Sequence, residues 1–456
     1  MLFFNLVLLT FIKHRMNKPI DRVEGFSKLS QEEKRQHVAD VLDIPNETIE
    51  LLAGFSHPNV EIQELLSEFS ENTLTNFPLP YCIAPNFKIN DRNYLIPMVI
   101  EESSVVAAAS NAAKFWFDKG GFRTQVVNTE KVGQVHFIWR DALEKLHDNF
   151  ADLKRQLLEG TQDITQNMRN RGGGILDIVL KDFSNEEPGL MQLFATFETA
   201  DSMGANFINS CLERFASIFK DWYNALENPI EDGLEIVMCI LSNLTPNCLV
   251  KCWVECDIEA LNNYVPGTSG EEFARRFKTA VRIAQVDTFR ATTHNKGIYN
   301  GIDAVVLASG NDFRAVEACG HAFASLDGHY RSLTDVQTEN GRFIFTLNVP
   351  IALGVVGGLT NLHPLVKLTN KLLGNPSAGE LMGIAAAAGL ANNFGAVKSL
   401  VTTGIQRGHM KMHLFNIMKQ LGVEKHEQAA IVAYFKENVV SVSEVRKCLE
   451  LLRVKA

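Results

Sequence analysis

The chain has 456 residues, 46% of them apolar and 21% charged, the composition of a globular protein with room for two or three domains and a large core. A net charge of −9 excludes a dedicated nucleic-acid binder, which is usually basic, so no nucleic acid is expected as a partner. Eight cysteines without a single CxxC pair exclude a disulfide scaffold and a zinc ribbon, and point to a reducing cytoplasm.

Leu2 to Ile12 is an apolar run followed by Lys13, His14 and Arg15. It falls short of the roughly 20 residues that span a bilayer, and its basic cluster lies after it rather than before. Residues 1–18 therefore read as an extension outside the fold, either a weak membrane or export segment or the product of a start codon upstream of Met16. Ser30-Gln-Glu-Glu33 has the form of a capping box and opens a helix to about Leu42. A second helical stretch, Glu47 to Leu74, breaks at His57-Pro58. Tyr94 to Ile100 reads as a strand and Ser103 to Phe117 as a helix rich in small residues.

Val132 to Arg140 is the next strand, and Asp141 to Gly160 is helical. Gly174 to Lys181 and Leu190 to Thr199 alternate as strands, Ser202 to Ala225 is helical, and Leu234 to Leu241 is a strand. The order βαββαβ is that of a ferredoxin-like unit, inserted into a larger domain because strands and helices resume on both sides. A helix from Glu271, a strand over Ala304 to Ala308 and a helix over Arg314 to Ala324 follow. A strand over Phe343 to Val349 runs into the Gly354-Val-Val-Gly-Gly358 loop, and an Ala-rich helix covers Ala378 to Leu400. The last module, from Thr402, reads as three short helices with little core of its own. The fold class is α+β.

Several groups of residues are candidates for chemistry. Glu101-Glu102 ends a strand, where neighbours point to opposite faces, so at most one serves a given site. Thr293 to Asp303 is dense in polar residues and glycines just ahead of the expected apolar strand, and Asn311-Asp312-Phe-Arg314 follows it. Asp201 to Asn206 lies where a strand passes into a helix, whose N-terminus favours phosphate. His409 and His413 share a helical face, yet the zinc motif needs a Glu directly after the first His, where Met410 stands; no metal is expected. Cys248, Cys252 and Cys256 are evenly spaced in a strand-like stretch, as packed or half-exposed thiols.

Five segments together resemble the class II hydroxymethylglutaryl-coenzyme A (HMG-CoA) reductases, over roughly residues 20 to 456. They are Pro97-Met-Val-Ile-Glu-Glu102-Ser-Ser104-Val-Val-Ala-Ala-Ala-Ser-Asn, Asp201-Ser-Met-Gly-Ala-Asn206, Arg290-Ala-Thr-Thr-His-Asn-Lys296-Gly-Ile, Gly310-Asn-Asp312-Phe-Arg-Ala-Val-Glu-Ala and Gly404-Ile-Gln-Arg-Gly-His409-Met. The resemblance implies a four-electron reduction of HMG-CoA to mevalonate and CoA with two nicotinamide hydrides, in isoprenoid biosynthesis or in the reverse, mevalonate-degrading direction. It implies a catalytic set of Glu102, Lys296, Asp312 and His409. Lys296 would stabilise the oxyanion formed on the thioester carbonyl. His409 would protonate the departing CoA thiolate. Glu102, with a pKa raised by burial, would be the general acid, and Asp312 would stand between Lys296 and Glu102. Arg290 would pair with the substrate carboxylate, with Ser104 and Asn300 on its polar substituents.

The same resemblance divides the chain into a substrate domain over 19–128 and 245–401, an inserted NAD(P)-binding domain over 129–244 and a C-terminal flap over 402–456. Asp201, Met203, Gly204, Ala205 and Asn206 would meet the dinucleotide pyrophosphate, with Gly354, Gly357 and Gly358 nearby. A homodimer or an assembly of dimers with shared active sites is expected. Three departures stand out. The family's Glu-Asn-Val-Ile-Gly is here Glu71-Asn-Thr-Leu-Thr75, and Ser103 stands where a Pro is usual. NADH-preferring members carry an Asp seven residues before the Gly-Gly-Gly run, and here that position, before Gly172, is Thr165. Thr165 with Arg169 and Arg171 would accept a 2′-phosphate, so NADPH is expected to serve at least as well as NADH. A catalytically inactive paralogue that binds acyl-CoA or a protein partner is the alternative, disfavoured by the presence of all four catalytic residues.

Overall fold

The computed structural model describes residues 20–402, 414–435, 438 and 440–454. These form two units, residues 20–80 with 362–364, and the remainder. In the first unit, α1 (Gln31–Leu42) begins with the expected capping box: the Glu33 N–H donates to Ser30 Oγ and the Ser30 N–H to Glu33 Oε2. The second helical stretch is two helices, α2 (Asn46–Ala53) and α3 (Val60–Glu68), broken at His57-Pro58 as read. Where the family motif has its glycine, Thr75 donates from Oγ1 to the Leu52 carbonyl at 2.7 Å. The left-handed position of this turn is Asn72, at φ 59°, so Thr75 itself is not strained.

The second unit opens with an antiparallel hairpin, β1 (Tyr81–Ile89) and β2 (Arg92–Val99), followed by α4 (Ser103–Phe117) and the short β3 (Arg123–Val126). β1 and β3 have no counterpart in the sequence reading, since Pro85 interrupts one and the other is only four residues long. The inserted module contains β4 (Lys131–Trp139), α5 (Leu143–Glu159), α6 (Gln162–Arg169), β5 (Gly174–Asp182), β6 (Leu190–Glu198), α7 (Ala205–Asn224) and β7 (Leu234–Ser242). Its sheet runs β5-β6-β4-β7 with every pair antiparallel, the order of a ferredoxin-like unit. Ile208, Cys211, Leu212, Phe215, Phe219, Trp222 and Tyr223 form the buried stripe of α7, spaced for one helical face against the alternate residues Val135, Phe137 and Trp139 of β4. α6 is an addition: eight polar-rich residues ahead of the glycine run.

The chain then returns to the larger core through β8 (Leu249–Asp257), α8 (Gly270–Val286), α9 (Thr288–Ala308), α10 (Phe313–Phe323), β9 (Thr334–Gln337), β10 (Arg342–Pro350), α11 (Pro364–Leu372) and α12 (Ala378–Val401). The second sheet is β3-β8-β10-β9, again antiparallel. Cys248, Cys252 and Cys256 are buried, and burial pushes the thiols of Cys248 and Cys256 up to about 11, which makes them packing groups. α12 is long and apolar enough to cross a membrane by composition, yet two thirds of it is buried in the protein, where it is the central core helix.

The expected strand over Ala304 to Ala308 is instead the last turn of the 21-residue α9. A five-residue apolar run with adjacent valines cannot be told from a buried helix segment by pattern alone. The C-terminal module comprises residues 414–420 (α13), α14 (Lys425–Tyr434) and α15 (Val442–Val454). It has more core than its sequence suggested: Leu414, Ile417, Met418, Ile431, Phe435, Val445, Cys448 and Leu449 bury one another.

Candidate active site

α9 carries the polar segment that the sequence placed ahead of a strand, and the helix sorts its residues by face. At 100° per residue, positions 290, 293, 296, 297 and 300 fall within about 120° of one another. Ala291, His294, Ile298, Ile302 and Val305 occupy the opposite, buried face. Asp287 begins the helix by accepting the Phe289 N–H at 2.9 Å. Arg290, Lys296 and Asn300 are thus brought to one side by a single rigid element. Arg290 is half-buried with no ion-pair partner among the described residues, and burial lowers its pKa. A half-desolvated, unpaired guanidinium favours an incoming carboxylate.

Glu102 lies between β2 and α4 as the residue preceding the first helical turn. Of the two adjacent glutamates, Glu102 faces α9: Lys296 Nζ lies 3.8 Å from its Oε2, while Glu101 is exposed. Ser104 Oγ donates to Glu102 Oε1, so in this arrangement the serine orients the carboxylate. Both charged side chains are open to solvent, Lys296 at 65% and Glu102 at 40%. Such a pair is worth about 0–1 kcal/mol, so stability is no reason for it. The burial expected around Glu102 is not supplied by the described residues.

Within one chain the side chain of Asp312 pairs with Arg314, while Lys296 pairs with Glu102. Asp312 caps α10, accepting the N–H groups of Arg314 at 3.0 Å and Ala315 at 3.3 Å, and the Arg314 guanidinium grips it at 3.0 and 3.1 Å. Partial burial alone would raise its pKa, but Arg314 and the helix N–H groups outweigh burial and hold it below the usual carboxylate value. The reason is local: an Asp directly ahead of a helix meets its own first turn before any distant lysine. His409, with His413, lies outside the described residues.

The two glycine-bearing loops meet. The Val355 N–H donates to the Asp201 carbonyl at 2.9 Å, and Ser202 pairs with Val356. Gly354 is required here, since a β-carbon would lie 2.5 Å from the Met203 nitrogen. Asn311 clamps the junction, donating to the Gly354 carbonyl at 3.0 Å and accepting its N–H at 2.8 Å. The sequence reading assigned no role to Asn311; its place beside Asp312 was the available signal. Gly204, at φ 88°, precedes α7 and turns the chain into the helix, followed by Ala205 and Asn206. The Asp201 carboxylate is committed elsewhere: Oδ1 accepts the Ala378 N–H at 2.8 Å and so caps α12. Gly357 and Gly358 have open space above their α-carbons.

Thr165 is not placed to meet the cofactor, contrary to what the resemblance implied. It is fully buried on α6, and its hydroxyl donates to the Thr161 carbonyl at 2.9 Å, so it cannot reach a ligand. The unforeseen helix α6 turns this position inward. Arg169 and Arg171, at the end of α6, are exposed. A helix N-terminus, two open glycines and two exposed arginines are a donor set suited to a phosphate-rich dinucleotide.

Residues 30–414 match the family model described as hydroxymethylglutaryl-coenzyme A reductase. The chain is 34% identical over 439 residues to 3-hydroxy-3-methylglutaryl-coenzyme A reductase of Archaeoglobus fulgidus, covering 95% of each. It is 31% identical to the probable enzyme of that name in Borreliella burgdorferi, covering 87% of each. Among solved structures it resembles the class II enzyme of Streptococcus pneumoniae bound to NADPH in open conformations, with TM-score 0.69 and 34% identity over 90% of this chain and 99% of that one.

Proposed function

From the premise that this chain belongs to the hydroxymethylglutaryl-coenzyme A reductase family, we propose how its residues divide the work of reducing HMG-CoA to mevalonate. The chain is an oxidoreductase of that family and uses a nicotinamide cofactor, which supplies the hydrides when bound. Lys296 places a cation beside the thioester carbonyl and neutralises the oxygen as charge develops there. Glu102, oriented by Ser104, returns a proton to that oxygen. Arg290 pairs with the free carboxylate of the substrate, and Asn300, on the same helix face, donates to its polar substituents. His409 protonates the CoA thiolate, and the C-terminal helices close over the site. The observation that carries this reading is the meeting of Glu102, at the start of α4, with Lys296 of α9 at 3.8 Å.

The inserted module holds the dinucleotide, with Gly204 to Asn206 at its phosphates and Gly354 to Gly358 alongside. Met203 belongs to the same loop. Arg169 and Arg171 accept a 2′-phosphate, and the residue aligned with the family's Asp brings no carboxylate to repel it. NADPH is therefore used at least as well as NADH. Initial rates with each cofactor test this, and a higher kcat/KM for NADH refutes it. All eight cysteines are free thiols, which supports a reducing, cytoplasmic setting.

Two copies complete one site. In a single chain Asp312 is held by Arg314 and Glu102 stays exposed, while Phe289, next to Arg290, is 90% exposed. A homodimer, alone or in a larger assembly, covers that side and brings Asp312 of one copy to Lys296 of the other. Mixed, refolded Lys296→Ala and Asp312→Ala chains, each strongly impaired alone, then regain about a quarter of wild-type turnover, because half of the random dimers hold one intact site. No recovery places both residues in one chain's site.

A further inference from the structure

α9 turns a second polar edge toward α10. Asp303 stands two turns beyond Lys296, about 10.5 Å along the helix axis and within about 20° of the same line. Its Oδ1 is sealed from solvent without a hydrogen-bond partner, and its carboxyl meets that of Glu317 on α10. One turn earlier Tyr299 is 1% exposed, and its hydroxyl is also unpartnered. It is wedged against Gly320 of α10, where a β-carbon would lie 1.4 Å from the hydroxyl. The titratable groups of this seam are Tyr299 and Asp303 from α9, Glu317, Cys319 and His321 from α10, and Tyr330 beyond it. Neither carboxyl forms an ion pair with a Lys, Arg or His among the described residues.

Two carboxylates cannot approach each other inside a protein while both are charged. A carboxylic acid, by contrast, donates a strong hydrogen bond to its neighbour. We infer that Asp303 and Glu317 share one proton and act as a positioning pair, fixing α10 and its cap Asp312 against the α9 face that carries Lys296 and Asn300. This rests on the reductase reading for its link to turnover. Burial, then the charge of Glu317, pushes Asp303 up to about 8, so the pair keeps its proton at neutral pH. The sign follows. A raised acid contributes stability that is complete below the ordinary carboxyl value and is lost as pH rises toward 8. Loss of the proton drives α9 and α10 apart and spoils the placement of Asp312.

The test compares wild type with Asp303→Asn, whose amide donates to Glu317 at every pH. The kcat of wild type falls as pH rises through about 8, approaching tenfold per unit. Asp303→Asn retains its neutral-pH turnover and loses that limb. In urea, the unfolding constant of wild type relative to the variant rises by up to about tenfold per pH unit between roughly pH 5 and 8, then levels. Profiles that overlay in both measurements overturn the inference. Should Asp303→Asn not fold, Glu317→Gln serves the same comparison. A wild-type protein without turnover defeats the reductase reading, and the urea series then decides the pair alone.

Discussion

α9 and α12 lie side by side in one core and are of similar length, 21 and 24 residues, yet they do opposite work. α12 is buried all round from Leu381 to Phe394, and is built from Ala, Gly, Leu, Met, Ile and Phe with Asn392 and Asn393 as its polar exceptions. α9 buries one face and keeps the other for Arg290, Lys296 and Asn300. Where they touch, Gly301 leaves room for the Ala388 carbonyl, and a β-carbon there would lie 2.3 Å from it. Gly389 does the same for Ile302. The difference teaches how a site gains precision. In the proposed site, chemistry is carried by a helix that is polar on one side, and that helix is held by one with no polar side to spare.

This division can be broken from either helix. Lys296→Ala removes the charge and leaves the packing, so kcat falls about 10²–10³-fold while stability stays within about 0.5 kcal/mol. Rates and urea unfolding on the same preparation check this, and a matching loss of stability would show that Lys296 belongs to the scaffold. Gly301→Ala does the reverse. The added methyl meets backbone, so it costs about 1–3 kcal/mol of stability and displaces the α9 face, lowering turnover with no group of the site removed. An unchanged urea midpoint would show that the two helices are not in tight contact.

Much of this was legible in the sequence because the signals were local. The capping box at Ser30, the break at His57-Pro58 and the helix from Ser103 to Phe117 each rest on residues within one or two turns. The ferredoxin-like order was readable because its strands alternate and its helices keep a clean apolar stripe. What failed needed tertiary information. Val305 and Val306 look like strand residues until the whole of α9 is buried along one side. Thr165 looked accessible because nothing near it announces α6. Within one chain Asp312 is held by Arg314, two residues on, a local partner that its pairing with Lys296 did not foresee. The shared carboxyls of Asp303 and Glu317 lie fourteen residues apart, and only the packing of two helices joins them.

The central claim is that the α9 face reduces a CoA thioester, and the stoichiometry of cofactor oxidation tests it most directly. Purified protein is given limiting HMG-CoA and excess NADPH, and the nicotinamide absorbance is followed to completion. The account predicts two NADPH consumed for each HMG-CoA, with mevalonate and free CoA formed, and none consumed without it. Absence of HMG-CoA-dependent oxidation, with either NADPH or NADH, would contradict it.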